Sequence, residues 1–143
     1  MLIDKQTQLS DAQAVTSTGS TASSNVIDLG VARDIAGGVT EALKLLIQIN
    51  TTFTSGGSAT LQVQVQTSPD NSSWSTLAES AAIPVAALVQ GYRFFENGVP
   101  GPTSRYLRLN YVVGTAAMTA GKLDAALVPS LDIAPIYSRG YAA

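Results

Sequence analysis

Ten acidic and eight basic side chains carry the charge of this chain, which contains neither histidine nor cysteine. That absence removes Ser-His-Asp and Cys-His nucleophilic centres, imidazole and thiolate metal sites, and disulfides. Carboxylate chemistry is what remains. A glycoside hydrolase needs two carboxyl groups facing each other across a sugar. The glutamates are Glu41, Glu79 and Glu96, and no pair of them has diagnostic spacing. They read as solvated or ion-paired surface acids. Asp70-Asn71 suggests a calcium loop, but one carboxylate is too few to hold the ion. Asp70 is expected instead to close a turn with its side chain. Gly121-Lys122 is not a phosphate-binding loop, because Leu123 follows the lysine and the earlier spaced glycine is absent. Gly37-Gly38 and Gly56-Gly57 read as turn glycines. No catalytic, cofactor-binding or metal-ligating residue is assigned.

The aromatic residues offer a second kind of chemistry. Tyr92, Phe94, Phe95, Tyr106 and Tyr111 could form a platform for stacking a sugar. They sit at alternating positions inside strand-like stretches, which favours core and edge packing. A carbohydrate-binding sandwich is therefore kept as the alternative reading. The sequons at Asn50 and Asn71 read as accidental.

The totals suit one domain. A chain of 143 residues buries roughly 70% of its unfolded surface, enough for a core without covalent staples. Charged residues make up 13% of it, about half the usual share of roughly 25%. Ser, Thr, Gln and Asn must cover the surface. The net charge is −2 and no Lys/Arg cluster exists, so the chain lacks the electrostatic footprint of a nucleic-acid binder. The opening MLIDKQTQLSD does not read as a signal peptide. Ala81–Val89 is too short to span a membrane and contains Pro84.

Two adjacent stretches organise the rest. In Thr60–Ser68, Leu61, Val63 and Val65 alternate with Gln62, Gln64 and Gln66. In Lys44–Phe53, Leu45, Ile47, Ile49 and Phe53 share one parity. Alternation marks strands with one apolar face, and the Gly-rich connection between them suggests an antiparallel hairpin. A strand is expected from about Leu43. Asn25–Leu29, Trp74–Ala78, Gln90–Glu96, Arg105–Val113 and Lys122–Val128 are further strand candidates, with Ala81–Val89 an edge strand or loop. Trp74 is expected to cap one end of the core. Pro69–Ser73 is a turn, and Asn97–Ser104 a loop. The pattern predicts an all-β, antiparallel sandwich or jelly roll of about eight strands over residues 25–128. Residues 1–24 read as an arm that orders on a neighbour, and 129–143 as an extended tail with more apolar residues than a solvated tail needs.

The opening MLIDKQTQLSDAQAVT, the segment GSTASSNVIDLG, the stretch LQVQVQTSPDNSSWSTL, and SRYLRLNYVV followed by GKLDAALV resemble the capsid cement (decoration) proteins of tailed bacteriophages, of the Bordetella-phage type. The resemblance covers essentially the whole chain. It implies a jelly-roll fold and homodimers on the outer face of the head, clamped across joints between major capsid protein subunits. It brings no catalytic residue, cofactor, nucleic acid or membrane. On this reading Leu2, Ile3, Ile133, Ile136, Tyr137 and Tyr141 are the expected contacts with the shell or with a second copy.

Overall fold

The computed structural model describes residues 3–33, 35, 43–94, 98–99 and 102–129. In chain order the strands are β1 (Gln8–Ala14), β2 (Gly19–Ala22), β3 (Ile27–Asp28), β4 (Leu43–Thr54), β5 (Thr60–Ser68), β6 (Ser75–Glu79), β7 (Ile83–Pro84), β8 (Tyr106–Gly114) and β9 (Ala120–Pro129). A 3-10 turn at Val85–Ala87 follows β7. One sheet has the order β1-β9-β4. The other runs β2-β8-β5-β6, with β3 added to β8 and β7 added to β5. Every strand pair is antiparallel. The protein is an antiparallel β-sandwich.

Alternation holds in both organising strands. Leu45, Ile47, Ile49 and Phe53 of β4, and Leu61, Val63 and Val65 of β5, are each no more than 2% exposed. Their pairing differs from the expected hairpin. β4 pairs with β9, whereas β5 pairs with β8, β6 and β7. The Gly-rich connection is an arch between the sheets. The physical reason is burial: side-by-side strands would leave both apolar faces open to water, whereas an arch lays one on the other.

The same crossing occurs between β1 and β2 and between β8 and β9. The three arches gather at one end. The Met118 N–H donates to the Thr16 carbonyl at 2.9 Å and the Thr119 N–H to the Thr54 carbonyl at 2.7 Å. The Ser55 hydroxyl donates to the Ala117 carbonyl at 2.7 Å.

The N-terminal stretch also departs from expectation. Within the predicted arm, Gln8–Ala14 and Gly19–Ala22 are β1 and β2, integrated into the two sheets. Leu9 and Val15 are at most 1% exposed. The register between β1 and β9 slips between Ser10 and Gln13. There Ala12 takes a left-handed φ of 43°. This bulge breaks the alternation and so hides the strand in the sequence. Asp124 of β9 holds the bulge: its carboxylate accepts the Ala12 N–H at 2.5 Å and the Asn50 amide of β4 at 2.8 Å.

β8 and β9 cover the strand candidates Arg105–Val113 and Lys122–Val128. Leu107, Leu109, Tyr111 and Val113 face the core, as do Leu123, Ala125 and Leu127. On the opposite parity, Ala126 and Val128 bury with Leu46 in a separate small cluster. Gly121 adopts a φ of +139°, and a Cβ there would lie 2.1 Å from the Phe53 ring. The glycine lets the ring close over the strand. Residues 91–94 run along the free edge of β4 rather than forming a full strand. Bonds there join Ile49 N–H to the Tyr92 carbonyl and Phe94 N–H to the Ile47 carbonyl. β7 lies at the edge of β5, as Pro84 requires. The expected C-terminal tail, apart from Pro129 at the end of β9, lies outside the described residues.

Candidate functional site

The outward face of the larger sheet is where polar groups converge. Gln62, Gln64 and Gln66 of β5 stand opposite Val112, Asn110 and Arg108 of β8. An amide both donates and accepts, so a row of amides can satisfy itself. The Asn110 amide donates to Gln64 Oε1 at 2.8 Å, and Gln64 Nε2 donates to Glu79 Oε2 at 3.1 Å. Gln62 Nε2 donates to the Ser80 carbonyl at 2.9 Å. Arg108 Nε donates to Gln66 Oε1 at 3.0 Å. Its guanidinium carbon lies 4.0 Å from the centroid of the Trp74 ring, a close cation–π stack. Desolvation draws the Arg108 guanidinium below its ordinary value. The Trp74–Arg108–Gln66 group was not foreseen. Trp74, expected at the end of the core, is a half-buried residue of the outer face. The parity of β8 places Arg108 among polar neighbours, but the register that sets it beside Gln66 and Trp74 is a long-range fact.

Between the sheets lies a buried polar chain. Tyr111 is fully buried and Ser10 is 1% exposed. Their hydroxyl oxygens are 2.7 Å apart, and the Ser10 hydroxyl donates to Gln13 Oε1 at 2.6 Å. Ser10 has one proton and spends it on Gln13, so the Tyr111 hydroxyl donates to Ser10. Gln13 Oε1 also accepts the Ser24 N–H, while Gln13 Nε2 donates to the Ala22 carbonyl. This chain ties β1 to β2 and β8. Burial pushes the Tyr111 phenol well above its ordinary value.

The aromatic platform does not assemble. Tyr111 is in the core, Phe94 is 6% exposed, and Tyr92 packs edge-on against Phe94 at 5.4 Å. Tyr106 lies under the Arg105 guanidinium at 5.0 Å. Phe95 lies outside the described residues.

The acids are spent on structure. Asp28 and Arg105 form a two-bond pair, each bond 2.8 Å. Arg105, and then the Gly30 N–H, hold the Asp28 carboxyl down at about 2. Asp70 closes its turn, accepting the Ser73 N–H at 2.8 Å, the Ser72 N–H at 3.0 Å and the Ser68 hydroxyl at 2.9 Å. These bonds hold its carboxyl far below the usual carboxylate range. The αL conformation of Asn71, φ 59°, completes the turn. Glu79 is bound to the Gln64 amide, and Glu41 and Glu96 lie outside the described residues. Among the described residues, no group of three or more His, Cys, Asp or Glu side chains could hold a metal ion. No helix among them is long and apolar enough to cross a membrane.

Of the expected contact residues, Ile3 is 40% exposed, alongside Val31 and Val89 as the large exposed hydrophobics. Ile3 directly precedes a turn closed by the Thr7 N–H on the Asp4 carbonyl. Leu2, Ile133, Ile136, Tyr137 and Tyr141 lie outside the described residues.

The fold and its surfaces define a charge-poor antiparallel sandwich with a self-bonded amide face. The family model Bbp16 matches residues 9–127. The chain belongs to the Bbp16 family, a family of Bordetella-phage proteins. No curated protein matches the chain.

Proposed function

We propose that the protein is a non-enzymatic capsid cement protein, a jelly-roll clamp that binds the outer face of a phage head as a homodimer and bridges neighbouring major capsid protein subunits. The observation that carries this reading is the Bbp16 match, which spans the sandwich from β1 into β9. The surface chemistry supports it. With 13% charged residues, copies packed closely on a shell repel one another little. A standard interface buries about 1,600 Å², and icosahedral symmetry multiplies even a smaller one. Bridging two subunits adds avidity. Such a clamp opposes the outward pressure of packaged DNA.

The carbohydrate-binding alternative loses support from the geometry. Its described aromatics are divided between core, edge and an arginine contact, and the Trp74 ring carries Arg108.

The test is to mix purified protein with heads assembled without it and sediment the mixture. Saturable incorporation, together with heads that survive heating better, is the expected result. A protein that stays in the supernatant while binding a host polysaccharide would overturn the reading. Deleting residues 132–143 and substituting Ile3→Ser tests the terminal contacts. Deleting the first ten residues would not, since it removes Leu9 and Ser10 from the sandwich.

A further inference from the structure

Arg108 is set differently from the other well-placed arginine of this sheet. Arg105 is neutralised by Asp28 at 2.8 Å. Arg108 is partly desolvated, yet among the described residues no carboxylate lies within ion-pair distance of it. Burial alone accounts for its altered proton affinity, with no acid contributing. Its one hydrogen bond is through Nε to Gln66. The guanidinium is held by the Trp74 ring on one side and through Nε by Gln66, leaving the two terminal nitrogens without a hydrogen-bond partner among the described residues. A guanidinium held in this manner presents a fork that matches a carboxylate, with little side-chain entropy left to lose. The neighbours complete a docking face. Gln66, Gln64 and Asn110 are already bonded to one another, and Glu79 on this face is engaged by Gln64. Tryptophan and arginine are also the residue types that most often dominate binding energy.

We propose that Trp74, Arg108 and Gln66 form an anchor for an acidic side chain of the shell protein. The carboxylate accepts the terminal N–H groups of Arg108, and the segment bearing it lies over the amide face. Charge complementarity selects this occupant: the face offers a cation that, among the described residues, has no carboxylate at ion-pair distance, while Glu79 is bonded to the Gln64 amide. The inference rests on the cement reading and names its point of contact.

Trp74 is the sole tryptophan of the chain, so the site carries its own probe. The full-length protein is labelled with 5-hydroxytryptophan, which is excited apart from the tryptophan of the heads. It is then added to heads assembled without it. The expected result is a blue shift and protection from acrylamide quenching upon sedimentation with heads. Arg108→Gln and Arg108→Glu should weaken incorporation by about tenfold or more, with Arg108→Lys in between, because lysine keeps the charge but not the fork. Unfolding midpoints of all three variants near that of the parent exclude a folding defect. Unchanged Trp74 emission at full occupancy, or an Arg108→Glu variant that incorporates like the parent, overturns the anchor while the cement function stands. A parent protein that does not sediment with heads overturns both.

Discussion

Replacing Ser10 with alanine should cost more stability than removing the larger-looking partner, the Tyr111 hydroxyl. The reasoning is a matter of which group is left stranded. In Ser10→Ala the Tyr111 hydroxyl stays in a fully buried position with its acceptor gone. An unsatisfied buried donor costs about 1–3 kcal/mol. In Tyr111→Phe the donor leaves, and Ser10 keeps its own bond to Gln13 at 2.6 Å. The cost is then about 1 kcal/mol. The double variant should lose less than the sum, with a coupling of about 1 kcal/mol. For a domain of this size each kcal/mol is worth roughly 4 °C in Tm. Urea unfolding of the four proteins gives the cycle directly. The same tyrosine sets an alkaline limit. Its folded-state pKa is raised by burial, so its contribution is complete below the unfolded value of about 10. Above that pH the unfolded phenol ionises and the folded one does not, and stability falls by about 1.4 kcal/mol per pH unit. Tyr111→Phe should lose that part of the slope. A Ser10→Ala cost below about 0.5 kcal/mol, with the alkaline slope unchanged in Tyr111→Phe, would refute the buried network as described.

Gly121→Ala should be among the most damaging small substitutions. The new Cβ meets the Phe53 ring at 2.1 Å and the backbone φ of +139° strains it further, for a loss of about 2–4 kcal/mol read from the urea midpoint. Asp124→Ala removes the acceptor for both the β1 bulge and Asn50; a loss of about 1–2 kcal/mol is expected, with hydrogen exchange rising first in β1. Asp28 has its pKa lowered to about 2, so its stabilising effect is present above the unfolded value near 4 and fades as pH falls toward 2. Asp28→Asn should flatten the acid limb of a stability–pH curve over that window, which thermal scans from pH 5 to pH 2 will show.

Faces were easier to read than neighbours. The alternation of β4 and β5 identified the inward residues, because period-two patterning is a local property of a strand. Pairing is not local. A short Gly-rich connection serves a hairpin or an arch equally, and only the covering of both apolar faces chooses between them. β1 was hidden for a different reason. Its register slips twice, between Gln8 and Ser10 and again between Ser10 and Gln13, so the neighbours Leu9 and Ser10 are both buried, and Ser10 looks like a surface residue until Tyr111 arrives from β8. The Asp70 turn was legible because its side chain bonds to residues two and three further on. The Trp74–Arg108 stack was not, since it joins a turn to a strand more than thirty residues away through register alone.

The placement of β9 governs how this protein can be made. Among the described residues it is the last strand and also the middle one of its sheet, with β1 at one edge and β4 at the other. On the ribosome both early strands wait, apolar and unmatched, for the final tenth of the described chain. A copy interrupted before Ala120 keeps no version of that sheet at all. The order of synthesis thereby delays closure of the sandwich: every strand of the larger sheet precedes Ala120, but its apolar face gains a complete opposing layer only when β9 joins β1 and β4.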